Sequence, residues 1–152
     1  DEKPTDSFLY MLAMNTFTMN TSMNPFENTL SSDKLFNKQA EVIQEIADKD
    51  DCIIVGRCAG YILRDEPKCV RIYISADKDF RTKRIMASDH LDEKEAQKKI
   101  HSMDKKRDSY FGYYAGQDWK ACHTYDLSIS TSSLGIDKAV DLICQYIDIK
   151  FK

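Results

Sequence analysis

The residues of this chain with the clearest chemical potential are arginines in three places. Arg57 stands just past the apolar run Cys52-Ile53-Ile54-Val55, separated from it by Gly56. A guanidinium there can hold a phosphate or a base edge through two parallel hydrogen bonds; a structural ion pair is the competing reading. Arg81 and Arg84 lie three residues apart in a helical pattern, so they share a helix face. Within residues 77–107 ten Lys or Arg stand against seven Asp or Glu, a basic island in a chain of net charge −3. Such an island suits a polyphosphate, and a solvated helix surface explains the charge equally well. Asp104 and Arg107 fall in a later helix. Ala96, Ile100, Met103, Arg107, Tyr110 and Tyr114 recur at spacings of three and four, so Arg107 interrupts an apolar and aromatic stripe. A charge in that place requires a ligand or a partner, and Asp104, one turn earlier, is the obvious partner. Tyr110, Phe111, Tyr113, Tyr114, Trp119 and Tyr125 read as one aromatic cluster, mostly core, with one ring able to stack on a nucleobase.

The elements that must position these groups follow from pattern. Phe8, Leu9, Leu12 and Ala13 suggest a short helix, and residues 15–32 a long loop. A helix is expected over 33–50, capped by Ser31 or Ser32, with Leu35, Ala40, Val42, Ile43, Ile46 and Ala47 as its apolar face. Cys52–Val55 is a continuous apolar run of the kind found in strands buried on both faces. Residues 69–74 and 125–130 are two more strand candidates. Helices are expected over 77–87 and from Asp92 to about 115, the second with Asp92 and Glu95 in capping-box spacing. The last helix follows Gly135, with Ile136, Ala139, Val140, Ile143 and Ile147 as its buried stripe. Strands alternating with helices give an α/β fold.

Composition narrows the class. The chain has 152 residues, 42% hydrophobic and 31% charged, enough for one domain with a sizeable core. The slight acidity gives no general attraction to nucleic acid or anionic membrane. No apolar run reaches the roughly 18–20 residues that span a bilayer, and the acidic start of DEKPTDSFLYMLAMN is unlike a secretory signal. The five cysteines are odd in number and lack a CxxC pair; free thiols in a reducing, cytoplasmic setting fit them, with Cys52 and Cys144 as core residues. Cys122-His123 is the only adjacent ligand-type pair, and no metal site is expected.

Several segments together resemble the cytidylate-kinase-like family of P-loop nucleoside monophosphate kinases: SSDKLFNKQAEVIQEIA at 31–47, CIIVGRCAGYILRD at 52–65, FRTKRIM at 80–86, DKKR at 104–107 and YDLSISTSSLGIDKAV at 125–140. The resemblance covers nearly the whole chain in the expected order. It implies a parallel sheet flanked by helices, with a helical lid. Residues 1–50 would be the monophosphate-binding helical region, 51–76 and 124–152 the core, and 77–123 the lid and the helix that follows it. It implies ATP-dependent phosphoryl transfer, with Mg2+, to a nucleoside monophosphate, CMP or dCMP; the other functional reading is a nucleotide-binding regulatory module without turnover. Small-molecule nucleotides would be the partners, rather than nucleic acid or membrane. Arg57, Asp104 and Arg107 would bind the acceptor nucleotide, and Arg81 and Arg84 would stabilise the transferring phosphoryl group. A blander reading, an α/β domain of unrelated function, also accommodates the pattern. The phosphate-cradling motif G-x-x-x-x-G-K-[ST] occurs nowhere in residues 1–152. The family's first strand, which carries that loop, would lie between the strands expected at 52–56 and 69–74. The natural protein is therefore expected to be longer at its N-terminus, and those two strands to lack partners without it.

Overall fold

A computed structural model describes residues 25–152, and the side chains from residue 32 onward. The short helix expected near residues 8–13, and residues 15–24 of the expected loop, lie outside the described residues. The chain divides into two compact units, residues 1–41 and 42–152.

Helix α1 (Pro25–Lys49) contributes to both units. It begins well before Ser31 and Ser32, so the expected cap and the second half of the expected loop are helical instead. Proline at the first helical position explains the earlier start: its φ is preset and its missing N–H is not needed in the first turn. Ile43, 1% exposed, is the most deeply buried large side chain among the described residues of the helix.

The second unit then runs through α2 (Ala59–Ile62), β1 (Ile72–Ser75), α3 (Lys78–Asp89), α4 (Glu93–Ala115), a single 3-10 turn (Cys122–Thr124), β2 (Leu127–Ser130), α5 (Thr131–Leu134) and α6 (Ile136–Phe151). Asp77 accepts the Phe80 N–H and starts α3. Asp92 and Glu95 form the reciprocal capping box that starts α4. Gly116, at φ +65°, closes α4 with its N–H on the Gly112 carbonyl. Lys99 reaches back to Asp89 at 2.6 Å and ties the base of the α3–α4 hairpin. Among the described residues no helix is long and apolar enough to cross a membrane.

β1 and β2 pair in parallel, Ile72 opposite Leu127 through Ser75 opposite Ser130. An ionic latch sets that register. Asp126 accepts the Arg71 N–H at 2.7 Å and the guanidinium of the same residue at 3.2 and 3.3 Å, while its own N–H returns to the Arg71 carbonyl. The Arg71 hydrogen bonds hold the Asp126 carboxyl below the ordinary range, and Lys150 of α6 adds to that from 3.9 Å. Gly60 lets α2 approach this latch: a Cβ there would stand 3.2 Å from the Arg71 Cγ. At the carboxyl ends of the strands, Thr131 donates to the Ser75 carbonyl and Ser132 accepts the Asp77 N–H.

Only these two strands form among the described residues. Cys52–Val55 has no sheet partner, and Ile53 and Val55 are 95% and 89% exposed. The third strand expected there is therefore absent, and this stretch lies outside the core. Its side chains have the apolar composition of a buried strand, but among the described residues no neighbouring strand completes a ladder with its backbone. Cys52 and Cys144, expected in the core, are both exposed; Cys58 is the buried cysteine. The stripe of α6 is likewise only partly covered: Ala139 is buried and Ile143 half-buried, but Ile136, Val140 and Ile147 face solvent. Ile74 of β1 is also exposed. Parallel strands are normally covered on both faces, and here one flank of the sheet is bare.

Candidate functional site: arginines of the helical hairpin

Asp104 is the centre of the hairpin's charge cluster. From α4 it accepts two 2.7 Å hydrogen bonds from Arg81 of α3, one on each carboxylate oxygen. This parallel pairing is the strongest geometry available to arginine and carboxylate. Arg107, one turn further along α4, adds a single longer bond of 3.3 Å. The Arg81 bonds lower the Asp104 carboxyl below its usual range, and the charges of Arg107 and Lys120 reinforce that. The carboxylate is thus saturated mainly by Arg81. Arg107 keeps half of its side chain in solvent. Arg84, one turn beyond Arg81, is exposed, and no hydrogen bond or ion pair engages it among the described residues.

Arg57 is placed differently. Gly56, Arg57 and Cys58 all take left-handed backbone conformations, with φ of 77°, 54° and 57°. Gly56 adopts this freely, but the two residues with side chains are held there against steric cost, on the order of 1–3 kcal/mol each. The turn directs Arg57 onto α4, where its guanidinium lies 5.8 Å from the centroid of the Tyr110 ring. Burial raises the Tyr110 hydroxyl above its ordinary pKa, with Arg57 opposing. Burial also pushes the neighbouring Cys58 thiol up to about 11, which keeps it protonated. Tyr110 follows Arg107 by one turn of the same stripe, so Arg57 meets α4 one turn beyond Arg107.

The structure therefore brings Arg81, Asp104 and Arg107 into one hydrogen-bonded cluster. Arg57 stands one helical turn along, and Arg84 projects separately from α3. The two readings of Asp104 and Arg107 meet here: the internal pair exists, yet it leaves Arg107 accessible. Ala96 and Ile100 of the same stripe are buried, and Met103, Tyr110 and Tyr114 are half-buried. The aromatic residues form two groups rather than one. Tyr110, Tyr113 and Tyr114 pack along the end of α4, while Trp119 and Tyr125 gather on Tyr73 of β1. Tyr73 and Lys120 both stand close enough to Asp104 for mutual electrostatic influence. Nothing in the local pattern marks either as a neighbour of that carboxylate, because each reaches it only through the fold.

An arginine-rich helical hairpin beside a parallel α/β sheet is the setting of these groups. The chain belongs to the cytidylate kinase-like family, whose model matches residues 1–133. A cytidylate kinase of Sulfolobus acidocaldarius is 31% identical over 110 residues, covering 72% of this chain and 60% of that protein. A cytidylate kinase of Methanoculleus marisnigri is 27% identical over 111 residues, covering 73% and 59%. The chain thus spans about 60% of the length of the curated relatives it matches. The crystal structure of an uncharacterized protein from Eubacterium ventriosum shares the fold at a TM-score of 0.74 and 37% identity, covering 76% of this chain and 73% of that one.

Proposed function

We propose that this chain is the larger part of a cytoplasmic nucleoside monophosphate kinase that transfers a phosphoryl group from ATP to CMP or dCMP. The observation that carries the reading is the arrangement of the hairpin arginines in a member of this family. Asp104 takes Arg81 bidentately and leaves Arg107 half-exposed, and Arg84 is exposed on α3. Phosphoryl transfer needs such groups more than it needs a protein nucleophile, because catalysis rests on positioning and on neutralising charge over the transferring group. In this reading Arg57 and Arg107 hold the acceptor nucleotide, with Asp104 fixing the Arg107 side. Arg84 stabilises the phosphoryl group in flight, and Arg81 joins it when phosphate oxygens replace the carboxylate of Asp104. Magnesium would accompany ATP and would offset charge on its phosphates; no group of three or more His, Cys, Asp or Glu suited to a metal stands among the described residues.

The phosphate-cradling loop and its strand belong to the same proposal. They are supplied upstream of residue 1 and insert between residues 52–55 and β1, pairing with both. The bare side chains of Ile53, Val55 and Ile74 support this. With that segment in place, residues 51–76 and 124–152 form the core and 77–123 the lid and its following helix.

The test is turnover in the full-length protein with ATP, magnesium and CMP. Arg84→Ala is expected to lower kcat by about 10²–10³ while changing CMP affinity little, since its partner charge develops in the transition state. An unchanged kcat removes Arg84 from the mechanism. CMP binding with no phosphorylation of any nucleoside monophosphate overturns the kinase in favour of a regulatory module.

A further inference from the structure

Trp119 is the single tryptophan of the chain, and two cations from different elements are gathered on its ring. Arg107 of α4 places its guanidinium carbon 5.9 Å from the ring centroid, and Lys120 places Nζ 5.5 Å from it. Lys120 sits in a defined turn: its N–H donates to Asp118 Oδ1 at 2.8 Å, and the Ala121 N–H donates to the Asp118 carbonyl at 3.1 Å. The indole is fixed from behind, edge-on to Tyr73 with centroids 5.6 Å apart, while the Tyr125 hydroxyl donates to the Trp119 carbonyl at 2.6 Å. The indole N–H is covered and has no acceptor among the described residues, so packing alone sets the ring's tilt.

Among the described residues the charge around this ring is not balanced. A cation over an aromatic face is attracted to it, but the ring carries no net charge to neutralise it. The carboxylate of Asp118 is engaged by the Lys120 N–H. That of Asp104 is taken by both bonds from Arg81, which leaves Arg107 one long contact and Lys120 only a through-space attraction. Arg81, Arg107 and Lys120 thus stand against Asp104 and Asp118, one positive charge in excess, with Arg107 and Lys120 on the exposed side. An oxyanion would complete the set. The guanidinium fork matches two oxygens and the ammonium adds a compact charge beside it.

We propose that Arg107 and Lys120, gathered on Trp119, form a binding site for a phosphoryl oxyanion. The proposal rests on the reading of Arg107 as the phosphate-facing arginine and adds Lys120 as its second cation, with Trp119 as the platform that spaces the two. The phosphoryl group is that of the acceptor nucleotide or free inorganic phosphate, and the probes below separate them.

The experiment uses the full-length protein and follows tryptophan emission, with Trp119→Phe as the blank, while CMP, inorganic phosphate or cytidine is added. CMP is expected to shift the Trp119 signal at low concentration and phosphate at higher concentration, while cytidine leaves it unchanged. By calorimetry, Lys120→Met is expected to weaken CMP binding about tenfold or more, the size of one lost charge-assisted hydrogen bond. Lys120→Arg is expected to restore most of it. Lys120 is exposed, so neither variant threatens the fold. If CMP binds Lys120→Met as it binds the native protein, the site is overturned and the kinase reading survives. If cytidine alone reproduces the CMP signal, the site recognises the nucleoside and the oxyanion assignment is overturned. If phosphate perturbs Trp119 in a Lys120-dependent way while CMP does not bind, the site stands and the kinase reading fails. No Trp119 response to either anion overturns the site.

Discussion

The α3–α4 hairpin on one side, and the apolar side chains of residues 52–55, β1 and α6 on the other, are nearly opposite in how far they are satisfied. The hairpin is closed by its own residues. Asp77 and Asp92 cap its helices, Gly116 ends it, Lys99 ties its base and Arg81 crosses to Asp104. Its core residues Thr82, Ala96 and Ile100 are buried. Those segments leave Ile53, Val55, Ile74, Ile136 and Val140 in solvent, and residues 52–55 have no ladder partner among the described residues. The lesson is about range. A helical hairpin closes its hydrogen bonds within a few residues and across one short turn. A parallel strand depends on neighbours distant in sequence, so residues 52–55, with none among the described residues, stay bare while the hairpin is complete.

The sharpest way to break this comparison is a charge at Val55. As the structure stands, Val55→Asp costs nothing, because the side chain is 89% exposed. In the full-length protein, with a strand alongside, it would bury an unpaired carboxylate, and stability is expected to fall by about 3 kcal/mol or more. Chemical denaturation of the two full-length forms measures it. An unaltered midpoint would mean that no strand covers this flank.

A middle-sized effect tests the closed half. Asp104→Asn removes the anion from the Arg81 pair, which is partly buried, with 31% and 19% of the two side chains exposed. The expected loss is about 1–3 kcal/mol, between the values for surface and buried pairs. The same pair sets a pH dependence. Because the Asp104 carboxyl is lowered by Arg81, its contribution is complete above the ordinary carboxylate pKa near 4 and disappears as pH falls through the lower folded value. Asp104→Asn is therefore expected to flatten the acid limb of the stability profile. A limb identical to that of the native protein would show that the ion pair contributes nothing there.

The smallest expected effect is at the α4 cap. Asp92→Ala removes the acceptor for the Glu95 N–H and is expected to cost about 1 kcal/mol. Measured hydrogen exchange in the first turn of α4 should rise while that in β1 and β2 does not. A matching rise in the strands would show that the two halves unfold as one.

Much of this molecule was readable from local pattern. The capping box at Asp92 and Glu95, the end of the helix near 115, the stripe through Ala96, Ile100, Tyr110 and Tyr114, and the two strands near 72 and 127 depend on residues a few positions apart. Their hydrogen bonds and side-chain spacings are nearly complete within a short window of chain. The same window identified Arg57, Arg81, Arg84, Asp104 and Arg107 as candidates, but not their allegiances. That Asp104 turns first to Arg81, 23 residues away, rather than to Arg107 three residues on, follows from how α3 lies on α4. The Arg71–Asp126 latch spans 55 residues. Trp119 collects Arg107 and Lys120 because β1 presents Tyr73 behind the indole. The exposure of Cys52 and Val55 is of the same kind: composition marks the run as one to be buried, and burial itself requires a surface for it to meet. Partners across the fold are selected by packing and by Coulomb attraction at a few ångströms, and neither distance exists until the elements have docked.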